Sequence, residues 1–134
     1  MKYISCYGFL LACLSVLVFN SCSYTDDDVA TDAMAYAEYI IDNQSGATLI
    51  YFGASEIEIM PSESKTINSE VLLGISTPAS PSIGLESLIL FRDDNGSLVT
   101  AFEMDPVTDD PWTEENISDN ESKFTLSITA EMIE

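Results

Sequence analysis

The stretch KFTLSITAEMI, residues 123–133, decides the fold. Phe124, Leu126, Ile128 and Met132 fall on one side of an extended chain, and Thr125, Ser127, Thr129 and Glu131 on the other. A period of two marks a half-buried strand, with apolar side chains turned to a core and polar ones to water. Working outward, EIEIM (56–60) alternates in the same way, with Ile57 and Ile59 inward and Glu56 and Glu58 outward, and Pro61 ends it. ESLILFR (86–92) reads as a strand, DDNG (93–96) as a hairpin turn with Asn95-Gly96 suited to positive φ, and SLVTAFEM (97–104) as the returning strand. AYAEYIID (35–42) and ATLIYF (47–52) are rich in aromatic and β-branched residues and flank the turn signal NQSG, which predicts a hairpin.

KTI (65–67) and EVLLGI (70–75) predict two short strands, and STPASPSIG (76–84) a loop. The segment 105–122 is acidic and turn-rich and carries no strand pattern. No segment has a helical period that competes with the strands, and there is no internal repeat. About seven strands at this spacing predict an all-β, antiparallel sandwich, immunoglobulin-like in outline, with a small barrel as the alternative.

Composition narrows the function classes. The chain of 134 residues carries 4 basic and 23 acidic side chains, a net charge of −19. Such a charge repels phosphate, which excludes nucleic acid as a partner, and it leaves no basic patch for anionic headgroups. It keeps the chain soluble, or offers a face to cations. Histidine is absent, which removes the commonest general base and transition-metal ligand, and with them the usual Ser-His-Asp and Cys-His machinery.

The first twenty-odd residues read as a targeting segment. Lys2 supplies one positive charge, and Ile4 to Phe19 run apolar, broken only by Ser5, Gly8 and Ser15. That run is shorter than the roughly 20 residues of a permanent membrane span and fits a secretory signal. FNSC (19–22) places the small residue Ser21 before Cys22, with Phe19 where Leu is usual. LLAC (10–13) spells a competing site, but cleavage there would leave LSVLVF at the mature N-terminus and cut the apolar core to about eight residues. Cys22 is therefore the expected acceptor of the lipid, and an ordinary signal followed by a chance cysteine is the bland alternative. Removal of residues 1–21 takes away Lys2, Cys6 and Cys13, so the mature charge becomes −20 and no free thiol remains for catalysis or a disulfide. Several acyl chains anchor stably where one is marginal, since each buried CH₂ contributes about 0.8 kcal/mol.

FNSC resembles the lipobox of bacterial lipoproteins, and CSYTDDD (22–28) resembles the surface-export signal of Bacteroidetes lipoproteins, with Asp26, Asp27 and Asp28 as its acidic cluster. Independently of that likeness, like charges keep such a segment extended as a solvated tether. The body of the chain, AEYIIDNQSGATLIYFGASEIEIMPSESKTI together with LILFRDDNGSL, DDPWTEENI and SKFTLSITAEMI, is similar to a group of small Bacteroidetes surface lipoproteins that brings no settled activity with it. The resemblance implies residues 1–21 as signal peptide, 22–34 as acylated cysteine with a flexible acidic tether, and 35–134 as the β-domain. It implies an acylated, palmitate-bearing protein on the outer membrane, exposed at the surface, with the membrane as partner through Cys22.

Candidate sites are few. The 105–122 loop holds seven carboxylates, among them Asp109, Asp110, Glu114 and Glu115 as weak Ca²⁺ ligands, although the glycine of an EF-hand loop is missing. Trp112, the only tryptophan, stacks on a sugar or anchors a protein partner if exposed, and pins the loop if folded back onto the sandwich. Tyr36, Tyr39 and Tyr51 read as cross-strand pairs, with a glycan platform as the alternative. No cofactor is expected. The expected function is non-enzymatic binding or a structural role, with an extracellular glycan or protein as partner. The alternatives are a glycan-binding accessory of a polysaccharide-uptake system, a surface or fimbrial component joined by strand addition at 123–133, and a weak hydrolase using paired carboxylates.

Overall fold

A computed structural model describes residues 33–133. Cys22, Asp26, Asp27 and Asp28 lie outside the described residues. Eight strands build two four-stranded sheets. They are β1 (Met34–Gln44), β2 (Leu49–Phe52), β3 (Glu56–Ile59), β4 (Ser64–Leu73), β5 (Leu88–Asp94), β6 (Ser97–Met104), β7 (Thr113–Ser118) and β8 (Glu121–Thr129). The first sheet has the order β4-β1-β8-β7 and the second β3-β2-β5-β6. The molecule is thus the expected β-sandwich, with one strand more than its hydrophobic pattern announces.

Alternation builds both layers. In β1 every odd residue from Ala35 to Asn43 is buried, and in β8 Phe124, Leu126 and Ile128 are buried between partly exposed neighbours. Leu49 and Ile59 face them from the second sheet, with Leu88 and Leu90. Each such side chain, fully removed from water, stabilises the fold by roughly 1.5–3 kcal/mol. Tyr39 stands at the centre. Phe124 stacks on it at 5.9 Å between ring centroids, and Trp112 meets it edge-on at 6.3 Å.

Four connections differ from the sequence reading. First, β1 and β2 do not form a hairpin; they lie in different sheets. Asn43 is the reason. Its buried amide donates to the carbonyls of Ala47 (2.7 Å) and Ile59 (2.8 Å), and its Oδ1 accepts from the Ser45 amide and hydroxyl. A polar side chain turned inward carries the chain across the sandwich rim. Second, KTI and EVLLGI are parts of the single strand β4, whose register shifts opposite Tyr39/Ile40; this bulge absorbs the break in alternation. Third, the loop 76–84 contains one helical turn, α1 (Pro81–Gly84).

Fourth, the last strand stops at Thr129 and is not an edge. β8 pairs with β7 on one side and, in parallel, with β1 on the other. First and last strands are therefore neighbours, and the sheet is not wholly antiparallel. With both flanks bonded, β8 has no free edge, so the expected edge position of 123–133 is overturned. The β5–β6 hairpin forms as read: Asn95 and Gly96 adopt φ of 58° and 87°, and Asp93 Oδ1 accepts from the Gly96 amide at 2.6 Å.

Candidate binding face

The outward faces of the two sheets are unlike. On the first, Asp42 accepts from Gln44 at 2.9 Å, Ser64 at 2.9 Å and Ser127 at 3.3 Å, while Lys123 pairs with Glu38 at 3.5 Å. These donors, Gln44 foremost, hold the Asp42 carboxyl below its usual range. Serines, threonines and these charges make the middle of that face polar. Its exposed apolar residues, Met34, Val71, Leu73 and Ile117, gather toward the end where the described residues begin.

The second sheet presents the reverse pattern. In β2, Leu49 is buried, so Ile50 and Phe52 point outward; in β5, Leu88 and Leu90 are buried, so Ile89 and Phe91 point outward. Ile50 stands opposite Phe91, and one step further along the register Phe52 comes level with Ile89. Phe52 meets Phe91 edge-on, with centroids 5.5 Å apart and planes at 64°. Phe52 is 46% exposed and the other three are half-buried. Four large apolar side chains thus form a block on the two central strands, turned away from the core.

The edge strands carry carboxylates on either side of that block. Glu56 pairs with Phe52 and Glu58 with Ile50 on β3, and Glu103 pairs with Ile89 on β6; all three are exposed. Asp93 follows on β5. Arg92 comes one residue after Phe91 and so lies on the opposite face, and the described lysines, Lys65 and Lys123, belong to the first sheet. An outward apolar cluster with a polar rim is the pattern of an interaction surface. The alternation of EIEI and LILF was legible in the sequence. The outward set of β2 and β5 is also apolar, which the unbroken runs LIYF and LILF carry in the sequence, but only the pairing of β2 with β5 joins the two runs into one face.

The residues singled out from the sequence go elsewhere. Trp112 is folded back and only 9% exposed, so it offers no ring face to a sugar or partner. Its Nε1–H is buried without an acceptor among the described residues. Asp109 accepts from the Ser82 amide (2.8 Å) and hydroxyl (2.9 Å), tying the loop to the start of α1; these bonds, the amide first, hold its carboxyl below the usual range. Glu114 lies on β7, inside the segment expected to be loop, and accepts from Ser122 at 2.9 Å. Among the described residues no three such side chains gather as a metal-holding group, so the structure does not bring Asp109, Asp110, Glu114 and Glu115 together. Tyr36 faces outward from β1, while Tyr39 and Tyr51 belong to the core side, so the three make no platform. Burial, and then Glu70, push the Tyr39 phenol up. A cavity of about 250 Å³ beside β6, lined by Thr100–Glu103 and Met132, contains a single carboxylate and offers no acid–base pair. No protein-family model, curated protein or solved structure matches this chain.

Proposed function

We propose that the chain is a lipid-anchored binding module, acylated at Cys22, displayed on the outer membrane, and acting through the uncovered face of its second sheet rather than by catalysis. The leader, the Ser21-Cys22 junction and the Asp26–Asp28 cluster support the anchor and the display. The observation that carries the binding role is the outward block of Ile50, Phe52, Ile89 and Phe91. A sandwich of this size completes its core with one face of each sheet. A second apolar face costs solubility and is kept where something covers it.

Two labelling experiments test this reading. Labelled palmitate is incorporated by the wild-type chain in its host and lost in Cys22→Ala; incorporation that survives the substitution refutes the anchor. The mature chain has no other thiol, so introduced cysteines report exposure. Glu131→Cys, at an exposed position, reacts with a membrane-impermeant maleimide on intact cells, and Phe52→Cys reacts more slowly on cells than after purification. Equal rates for Phe52→Cys in both settings refute a covered face.

A further inference from the structure

We infer that the face of the second sheet receives a cationic amphipathic helix of another protein, its apolar stripe on the Ile50/Phe52/Ile89/Phe91 block and its lysines or arginines on the flanking carboxylates. This deepens the proposed function and rests on that reading of the face.

The dimensions fit one helix. Neighbouring strands lie about 4.8 Å apart, so β3 and β6, the two edges, are roughly 14 Å apart across the sheet. A helix with its side chains is about 10–12 Å across. Laid along the central strands, it fills the space between Glu56 and Glu58 on one edge and Glu103 on the other, and covers the apolar block with positions three and four apart. Glu56 and Glu58 then meet the bases on one flank and Glu103 those on the other.

Charge selects among occupants. The face has carboxylates on three strands and no basic side chain among the described residues, within a chain of net charge −19. A second copy would bring the same carboxylates against them, so like charges oppose self-pairing. Anionic lipid is repelled for the same reason. A sugar ring prefers a flat aromatic surface, whereas Phe52 and Phe91 are set at 64° and flanked by branched isoleucines. A partner that is apolar along one stripe and basic beside it matches every element of the face, and electrostatic steering would speed its arrival.

The test uses the protein as processed by its host, held in zwitterionic nanodiscs, with empty nanodiscs as the blank. The probe is a fluorescent 18-residue helix of leucine and lysine in amphipathic order, read by anisotropy. Saturable binding is expected, weakening as salt rises. Phe52→Ser with Phe91→Ser is expected to weaken it at least about ten-fold, with unchanged near-ultraviolet dichroism confirming the fold. Glu56→Gln, Glu58→Gln and Glu103→Gln together leave the apolar block whole and are expected to weaken binding and flatten its salt dependence. A leucine–glutamate helix of the same pattern should not bind. The inference is overturned if the leucine–lysine helix fails to bind, if the acidic helix binds as well, if either set of substitutions leaves affinity unchanged, or if a neutral oligosaccharide displaces the probe. Should it fail while Phe52→Cys remains shielded on cells, the face is still covered and only the chemistry of its partner is wrong. If Phe52→Cys is unshielded, the reading of the face itself has failed.

Discussion

Gly84→Ala tests the packing at the centre of the sandwich. The hydroxyl of Tyr39 donates to the Ala79 carbonyl at 3.1 Å and lies 3.3 Å from Glu70 Oε2, directly beneath the last residue of α1. A Cβ built on Gly84 would run into the Tyr39 hydroxyl and ring, and would come within 2.8 Å of Glu70 Oε2. Tyr39 cannot give way easily, being fully buried between Phe124 and Trp112. Overpacking costs about 1–3 kcal/mol, and a displaced hydroxyl leaves the Ala79 carbonyl short of a bond worth about 1 kcal/mol. The sum is about 2–4 kcal/mol, or a fall in Tm of roughly 10–20 °C for a domain near 100 residues. Helix propensity alone predicts the opposite sign, a gain of about 1 kcal/mol. Urea unfolding followed by Trp112 fluorescence measures the difference. Ile83→Ala, one residue earlier and 76% exposed, should be nearly neutral. A loss below about 0.5 kcal/mol in Gly84→Ala would refute the close approach of α1 to Tyr39.

Asn43→Ala leaves the carbonyls of Ala47 and Ile59 without their donor and should cost about 2–4 kcal/mol by urea titration; a neutral result would mean the β1–β2 crossing does not depend on that amide. Trp112→Ala should cost about 3–5 kcal/mol, while Trp112→Phe, which removes the buried unpartnered Nε1–H, should cost far less by circular dichroism. Asp42, Asp109 and Glu63, whose carboxyls are held low chiefly by Gln44, the Ser82 amide and the Met60 amide respectively, contribute stability that is present above the ordinary carboxylate range and lost as pH falls through their folded values. Asp109→Asn should therefore flatten the acid limb of a stability profile below about pH 4, and an unaltered limb would contradict this. Tyr39, held neutral first by burial and then by Glu70, gives stability that is complete below about pH 10 and lost above it. Its ultraviolet titration should coincide with alkaline unfolding; a Tyr39 that ionises in the folded state would refute its burial.

The sequence reveals strands wherever one face alone meets the core. KFTLSI, EIEI and the DDNG hairpin were legible because apolar and polar residues alternate there and the turn demands positive φ. β7 was not, because an edge strand exposed at every position, TEENIS, has no alternation to read; only its pairing with β8 makes it a strand. The sheet assignment of β1 and β2 hinged on one buried Asn43, and turn chemistry alone does not distinguish a hairpin from a crossing between layers. Trp112 and the carboxylates of 105–122 drew attention by residue type, yet Trp112 packs in the core and Asp109 fastens α1. The face that remains uncovered emerged only when strand order set β2 beside β5 and joined LIYF to LILF.

The most direct measurement of the account is a footprint of the leucine–lysine helix on the isotope-labelled protein, read as backbone amide shift changes. Perturbations confined to the outward residues of β2 and β5 and their flanks on β3 and β6 are predicted, with the first sheet silent. Shifts centred on β1, β4 or β8, or spread evenly over the surface, would contradict it.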